Sequence, residues 1–311
     1  YKRQLYEHTT FPLPDNYFDV YEGRYAAQMQ KMNIYCDMYE GHDLKMVTGM
    51  DSDSLLFDPW PHAFLGTMEP DECRRFLDAY RDRNNEFHSR KRSFKEVAEW
   101  KYQRYLQDYM GVVASVDESV GEILDYLKCT GLDKNTIVVY TTDQGFYLGE
   151  HGWFDKRFMY EESFGMPMVM RWPGHIKPET QVTGLTQNID FAPTFLDMCG
   201  IEVPRDMQGV SFRELVETGK KPRDWRKSLY YHYYEFPGFH SVRAHYGVKM
   251  ERYKLMHFYV EDKWELYDLK TDPTEMHNLY GKQGMEKVTA ELMAELARLQ
   301  KQYEVPQNLC K

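Results

Sequence analysis

The segment from Thr141 to Lys156, TTDQGFYLGEHGWFDK, brings metal-ligating, proton-transferring and anion-binding side chains into one short stretch of chain. Asp143 and Gln144 provide adjacent hard oxygen donors, which suit Ca²⁺ or Mg²⁺. Lys156 provides an ammonium group suited to a tetrahedral oxyanion. His151 is positioned in sequence to donate to such an anion or to a leaving-group oxygen. Together they predict a metal-assisted site for an anionic ester.

The same residues also have a purely structural interpretation. An Asp-Gln-Gly sequence after a strand is commonly a turn in which the aspartate binds nearby backbone amides. A single lysine is usually solvated at the surface, and a histidine in GEHG can bridge loop backbone. Spacing alone favours the turn, so the function of the segment stays open on this ground.

The elements before this segment place it at the edge of a sheet. A helix is predicted from about Ser93 to Lys128, with Gly131 as its C-terminal cap. Its apolar stripe follows alternating steps of four and three residues, at Tyr109, Val113, Val116, Val120, Ile123 and Leu127. The β-branched run NTIVVYTTD then predicts a fully buried strand. Helix, turn and buried strand form the unit of an α/β parallel sheet, which binds ligands at the carboxyl ends of its strands.

The remaining pattern predicts the rest of an α/β domain and a smaller antiparallel part. A helix is expected within residues 24–39, a strand at Met166–Trp172, and a helix at 188–199 that ends at Gly200. After Gly219 the runs SLYYHYY, SVRAHYGVKM, RYKLMHFY and KWELYDL predict a small antiparallel sheet. An amphipathic helix at about Met285–Tyr303 is expected to cover it. We therefore predict two parts, residues 1–220 and 221–311, with the boundary near 218–227.

Composition excludes some classes of function. The chain has 311 residues and a net charge of −10, which argues against broad nucleic-acid binding. No apolar run approaches the ~18–20 residues of a membrane span, and no export signal is visible. The five cysteines include no CxxC pair, which indicates scattered thiols rather than a disulfide framework or zinc site.

Several ordered blocks of the sequence resemble one family. DQGFYLGEHGWFDKRFMYEESFGMPMVMRWPG is similar to the second signature block of the type I sulfatases, in the alkaline-phosphatase-like superfamily. IDFAPTFLDMCGIEVPRDMQGVSF resembles the family's D-x-x-P-T-x-L-x-x-x-G helix and its G-x-S-x-x-x-L continuation. WELYDLKTDPTEMHNL resembles the family's C-terminal motif. The resemblance covers roughly residues 95–311, and the glycosaminoglycan sulfatases of bacteria, of the N-acetylglucosamine-6-sulfatase or heparan-sulfate type, are the most similar in character.

The resemblance implies a fold, a reaction and residue roles. The expected fold is an alkaline-phosphatase-like parallel or mixed sheet flanked by helices, followed by the small antiparallel sheet and helix. The expected reaction is removal of sulfate from a sulfated glycan. Asp143 and Gln144 would be ligands of Ca²⁺, with Mg²⁺ as the alternative, and Lys156 would bind the sulfate group. His151 is retained as a catalytic or loop residue.

The family's nucleophile is a formylglycine made from a Cys/Ser-x-Pro/Ala-x-Arg motif, and this chain contains no such motif. The paired aspartates and the early Lys and His contacts of the family are also absent. We therefore expect the formylglycine and the N-terminal half of the domain to lie upstream, and no turnover from these residues alone. Because relatives of this type are exported, a periplasmic or secreted location is expected.

Substrate contacts are expected from the run HSVRAHYGVKM, where His240, Arg243 and His245 have side chains suited to hydroxyl, carboxylate and sulfate groups. The alternative is that alternate residues of an edge strand simply face solvent. Two other functions remain open beside a sulfatase. One is a phosphate or phosphonate ester hydrolase of the same superfamily, and the other is a non-catalytic glycan-binding protein that kept the fold.

Overall fold

The computed structural model describes residues 2–47 and 60–306. The helices are α1 (Tyr25–Met29), α2 (Trp60–Leu65), α3 (Pro70–His88), α4 (Phe94–Thr130), α5 (Glu161–Phe164), α6 (Phe191–Met198), α7 (Arg213–Thr218) and α8 (Glu286–Gln302). The strands are β1 (Val138–Thr141), β2 (Tyr147–Leu148), β3 (Phe154–Asp155), β4 (Met168–Arg171), β5 (Ser228–Tyr233), β6 (His245–Met250), β7 (Tyr253–Phe258) and β8 (Lys263–Asp268). Short 3₁₀ helices occupy Lys2–Tyr6, Leu132–Asn135, Glu150–Gly152, Asn188–Asp190 and Phe239–Ser241.

The chain forms two compact units. The first contains residues 1–19, 31–122 and 148–154, and the second contains 20–30, 123–147 and 155–311. The predicted boundary near residues 218–227 stays a prediction. None of the helices within the described residues is long and apolar enough to cross a membrane. Four of the cysteines are free thiols, and Cys310 lies outside the described residues.

The first unit is built around the N-terminal half of α4. Ala98, Tyr102 and Leu106 recur every four residues, so they share one face of the helix and pack into a core with Ile34 and Leu44. Helix α3, which the sequence pattern did not predict, begins with a proline at its first turn and a reciprocal capping box between Glu69 and Glu72. That capping box is the signal from which α3 could have been found.

The second unit contains the predicted antiparallel sheet and its helix. The strands lie in the order β5-β6-β7-β8, and each pairs antiparallel with the next. Alternate residues of β6, β7 and β8 face α8, where they form one apolar cluster. Its buried members are Tyr246, Val248, Leu255, Leu266, Leu292, Leu296 and Leu299. The prediction of a small sheet covered by the C-terminal helix is confirmed.

Strand β1 differs from its prediction in burial. It pairs antiparallel with β4, Val138 opposite Arg171 and Thr141 opposite Met168. Tyr140 is 49% exposed and Thr141 is also exposed, so the prediction of a fully buried strand is wrong for the described residues. A β-branched run predicts a strand that requires a cover, but it carries no information about which residues supply that cover.

Helix α4 confirms the longest sequence prediction. It ends at Thr130, and Gly131 adopts the left-handed conformation expected of a cap, with φ of 73°. Its C-terminal apolar stripe, however, is largely exposed, with Val116 at 44% and Ile123 at 59%. An exposed apolar stripe of this kind is typical of an interaction face.

The predicted helix within residues 24–39 is much shorter than expected. Only Tyr25–Met29 is helical, and Gln30 is already extended. The Asn33 side-chain oxygen accepts hydrogen bonds from the amides of Tyr35, at 2.8 Å, and Cys36, at 3.3 Å. This local capping competes with helical hydrogen bonding and replaces the rest of the helix with turns.

Asp190 is the polar anchor of the region around α6. Its carboxylate is fully buried and accepts hydrogen bonds from the amides of Gln187 and Val210, each at 2.9 Å. The Arg226 guanidinium binds both carboxylate oxygens. One aspartate therefore joins the start of the predicted helix to two later segments.

We expect Asp190→Asn to lower the free energy of unfolding by about 3 kcal/mol, because it leaves Arg226 without its buried counter-charge. Asp197→Asn is the matched control, since its ion pair with Arg213 is about one-third exposed and contributes less than about 1 kcal/mol. Urea denaturation of the natural full-length protein measures both variants. Equal losses of stability in the two variants would contradict this assignment.

Candidate active site

The turn after β1 presents the predicted metal ligands. The Thr142 hydroxyl closes the turn by donating to the Gln144 carbonyl oxygen at 2.9 Å. It also lies 3.3 Å from Asp143 Oδ1. Asp143 is exposed and Gln144 is half-buried. The turn is therefore closed by a threonine hydroxyl rather than by the aspartate, which leaves the Asp143 carboxylate at the surface of the turn.

Gly145 fixes this turn against a second segment of the same unit. Its amide donates to the Ser163 carbonyl oxygen at 2.9 Å. A Cβ atom at Gly145 would lie 2.1 Å from the Glu162 carbonyl oxygen, a distance that no side chain tolerates. The glycine is required here by the close approach of two backbones rather than by a positive φ.

Lys156 lies in a backbone segment of unusual conformation. Its neighbours Asp155 and Arg157 have φ angles of 72° and 94°, which L-residues seldom adopt. The Lys156 amide donates to Asp155 Oδ1 at 2.6 Å, and the Arg157 guanidinium pairs with the same oxygen. The Arg157 amide donates to Ser163 Oγ at 3.0 Å. Ser163 thus contacts both the turn after β1 and the segment that carries Lys156.

His240 joins the Lys156 segment from the C-terminal part of the chain. Its Nε2 lies 3.3 Å from Asp155 Oδ2. Burial of Asp155 raises the pKa of its carboxyl group, but the hydrogen bond from His240 and the ion pair with Arg157 outweigh burial and lower that pKa to about 2. The carboxylate is consequently ionised at neutral pH and holds two cationic or hydrogen-bonding partners beside Lys156.

The two other predicted substrate residues lie in different surroundings. Arg243 is mostly buried, with Nε 2.9 Å from Glu261 Oε1 and its guanidinium 4.3 Å from the centre of the Phe236 ring. His245 is fully buried, and its Nδ1 lies 2.6 Å from the Arg243 carbonyl oxygen. Burial lowers the pKa of His245 to about 4, so the ring is neutral. A sugar contact by either residue stays a prediction.

His151 belongs to the first unit, where its ring is fully buried. Its Nδ1 lies 2.8 Å from Asp19 Oδ2, and its ring centre lies 5.0 Å from that of Trp153. Its φ of 57° places a non-glycine residue in the left-handed region. A catalytic role for His151 stays a prediction.

Asp143 and Gln144 fit part of a divalent cation site. A carboxylate and an amide oxygen are the donor types that Ca²⁺ and Mg²⁺ prefer. Across residues 2–47 and 60–306, no group of three or more His, Cys, Asp and Glu side chains is placed to hold a metal ion. These two residues can supply two donors of a larger set, and the completion of that set by other segments stays a prediction.

Sequence reasoning missed Asp155, Arg157 and Ser163. The charged triplet Asp-Lys-Arg was visible around Lys156, and an acidic residue directly before two basic ones was a usable signal of a local ion pair. Ser163 gave no signal, because it acts through its carbonyl oxygen as well as its hydroxyl group. Backbone contacts of this kind depend on the fold rather than on residue type.

Two family models match the chain. One, described as "Sulfatase", matches residues 10–201, and the other, "N-sulphoglucosamine sulphohydrolase, C-terminal", matches residues 149–302. The first covers the candidate metal ligands and Lys156. The second covers Lys156 and the four-stranded sheet.

Individual proteins give a consistent picture. An N-acetylglucosamine-6-O-sulfatase of Bacteroides thetaiotaomicron is 47% identical over 304 residues, which is 96% of this chain and 54% of that protein. The multifunctional alkaline phosphatase superfamily protein PehA of Trinickia caryophylli is 31% identical over 221 residues, which is 67% of this chain and 42% of that protein. The chain thus spans about half the length of the curated relatives it matches.

One solved structure matches the whole chain. It is a complex with its substrate D-glucosamine-2-N,6-O-disulfate, and it shares 44% sequence identity with a TM-score of 0.92. The match covers 100% of this chain and 63% of that one. At this identity and coverage the two chains share one fold over all of the compared residues.

We expect Asp143→Asn to weaken Ca²⁺ binding by tenfold or more in the natural full-length protein, because it removes a charged oxygen ligand. Titration calorimetry of the metal-free protein measures the change. Asp125→Asn, which changes an exposed aspartate on α4, is the matched control and should bind Ca²⁺ normally. Unchanged affinity in Asp143→Asn would remove Asp143 from the ligand set.

Proposed function

The chain belongs to the sulfatase family, and from this premise we propose that its protein hydrolyses sulfate esters on a glycosaminoglycan sugar. The fold is the alkaline-phosphatase-like sulfatase fold that the sequence predicted. The observation that carries the proposal is the similarity of nearly the whole chain to an N-acetylglucosamine-6-O-sulfatase. That similarity includes both loops of the candidate site.

The proposed substrate is the 6-O-sulfate of a glucosamine unit. Two findings support this choice, the activity in the name of that relative and the disulfated glucosamine bound in the matching solved structure. An anionic sugar also suits the local charge, since Lys156 and Arg157 lie side by side in an otherwise acidic chain. By the same analogy to bacterial enzymes that meet external glycans, we propose a periplasmic or secreted location.

The proposed roles follow from side-chain chemistry. Asp143 and Gln144 would hold Ca²⁺, which when bound supplies positive charge to the sulfate oxygens. The Lys156 ammonium would bind the sulfate group and stabilise the charge that develops on it. His151 remains the proposed proton donor. The nucleophile, a formylglycine in this family, is proposed to come from residues outside these 311, which contain no formylglycine motif.

A phosphate or phosphonate ester hydrolase is the second candidate. The similarity to PehA, a multifunctional member of the alkaline phosphatase superfamily, favours this candidate over unrelated chemistry. Its identity to this chain is much lower than that of the sulfatase, and it covers less of the chain. We therefore propose hydrolysis of sulfate esters as the principal reaction, with phosphonate esters as secondary substrates to be assayed.

Lys156→Ala is expected to lower kcat for 6-O-sulfated N-acetylglucosamine by about 100-fold or more, the effect of removing one oxyanion-stabilising group. The assay follows sulfate release by the natural full-length protein, with folding checked by circular dichroism. Lys134→Ala, which removes an exposed lysine before β1, is the matched control. Near-normal turnover in Lys156→Ala would contradict the role of this lysine.

Arg243→Ala is expected to raise KM for a sulfated glycan about tenfold and to leave KM for a small aryl sulfate nearly unchanged, because the lost contact is to the sugar. Steady-state kinetics on both substrates measure the difference. Arg252→Ala is the control, since it removes a half-exposed arginine after β6 that pairs with Asp268. Equal changes for both substrates would indicate that Arg243 only stabilises the fold.

A further inference from the structure

A fully buried lysine lies under the candidate site. Lys254 projects from β7 with no exposed surface, and its ammonium group lies close to three oxygen atoms. They are Glu161 Oε1 at 2.7 Å, Glu275 Oε1 at 2.8 Å and the Met159 carbonyl oxygen at 2.6 Å. The two carboxylates oppose the buried positive charge, and the Met159 carbonyl oxygen accepts a hydrogen bond from the ammonium group.

Glu275 contributes to the same cluster from the C-terminal motif. Its Oε2 accepts a hydrogen bond from the Glu161 amide at 2.7 Å, which satisfies the first N–H group of α5. Glu275 is fully buried and adopts a positive φ of 52°. Burial raises the pKa of Glu275 to about 7, although Lys254 acts in the opposite direction. Burial therefore disfavours the ionised form of this carboxyl group. Its hydrogen bond to the Glu161 amide nevertheless fixes the first residue of α5.

Glu161 connects the cluster to the sheet a second time. Besides Lys254 it contacts Lys249 of β6, with Nζ 2.6 Å from Glu161 Oε2. Burial raises the pKa of Glu161, but Lys254 and Lys249 outweigh burial and lower it. The first residue of α5 is therefore held by two lysines from adjacent strands and by one buried glutamate.

Two residues further on, α5 reaches the candidate site. Ser163 accepts the Gly145 amide with its carbonyl oxygen and the Arg157 amide with its hydroxyl group. It is the residue that contacts both the turn bearing Asp143 and the segment bearing Lys156. A displacement of α5 would therefore move both segments.

The energetic argument separates this cluster from ordinary stabilisation. Removing two or more charges from water is expensive, and a buried ion pair is often no more stable than apolar side chains of the same volume. The apolar cores of both units already supply burial without that cost. What a charged cluster adds is directionality, since each hydrogen-bonded oxygen has a defined position.

We propose that Lys254 and Glu275 are positioning residues of the active site, which act through α5 and Ser163 to fix the metal-ligand turn relative to Lys156. This inference rests on the proposed function for its catalytic consequence. Its structural content, the coupling of Glu275 to the Gly145 and Arg157 amides, is independent of any activity.

Amide hydrogen exchange of the natural full-length protein tests the coupling directly. Glu275→Gln keeps an oxygen acceptor for the Glu161 amide but removes one of the two carboxylates that pair with Lys254. We expect the Gly145 and Arg157 amides to exchange about tenfold faster in this variant, while the Phe212 amide, bound to Thr194 elsewhere in the unit, is unchanged.

Asp190→Asn is the matched control, because it also damages a buried ion pair of the second unit. It should accelerate the Val210 amide, which Asp190 binds, and leave Gly145 and Arg157 at the wild-type rate. Wild-type exchange of Gly145 and Arg157 in Glu275→Gln, or uniform acceleration of all amides, would overturn the proposal. If Glu275→Gln does not fold, Lys249→Met is measured in its place, because it removes the partly exposed ammonium group that pairs with Glu161. Faster exchange of Gly145 and Arg157 would again support the proposal, and wild-type or uniformly faster exchange would overturn it.

Kinetics test the catalytic consequence by a double-mutant cycle with Ser163→Ala, which removes only the hydroxyl that binds Arg157. Glu275→Gln and Ser163→Ala should each lower kcat for 6-O-sulfated N-acetylglucosamine about tenfold, and the double variant should be no slower than the slower single variant. Multiplication of the two effects would show that Glu275 acts independently of Ser163. If the wild-type protein releases no sulfate, the proposed function fails, and the exchange result still decides the coupling.

Discussion

The close approach of two backbones at Gly145 and Ser163 is the constraint on which the candidate site depends. A side chain at Gly145 would collide with the Glu162 carbonyl oxygen, so the turn after β1 and helix α5 can meet only through a glycine. The contact joins two segments that are separated in the chain by β2, β3 and the loops around them. Because the Arg157 amide binds the same serine, Ser163 contacts both the turn after β1 and the Lys156 segment of the candidate site.

Helix α5 is in turn held by the C-terminal sheet through polar contacts and through the Phe164 ring, whose centre lies 5.4 Å from that of Tyr231. Beside the Lys254 cluster, the buried Glu265 of β8 accepts hydrogen bonds from the hydroxyl groups of Tyr160, at 2.7 Å, and Tyr267, at 2.8 Å. Gly247 of β6 leaves room for the Met159 side chain, which a Cβ atom would approach to 2.6 Å. The sheet therefore does more than pack against α8. It forms the face against which residues 159–161 are set, and these residues lead into the candidate site.

Sequence patterns predicted those features that local chemistry determines. The long helix α4, its glycine cap and the four strands of the sheet were predicted because periodicity and turn residues are local signals. The burial of β1 was predicted wrongly, since burial depends on what packs against a strand. At the site, Asp143, Gln144 and Lys156 were singled out by side-chain type. Ser163 could not be found in that way, because its contacts are made through main-chain partners that only the folded chain brings together.

The backbone around Lys156 carries strain that these contacts have to offset. Asp155, Arg157 and His240 all have positive φ angles, each of which costs of order 1 kcal/mol or more for a non-glycine residue. Such conformations persist only where the surroundings over-determine them. Here Asp155 binds both Arg157 and His240, and Ser163 holds the Arg157 amide. In the proposed sulfatase, the backbone that carries Lys156 is therefore fixed before substrate binds. Stabilisation of the transition state by the Lys156 ammonium would then need no rearrangement of this backbone.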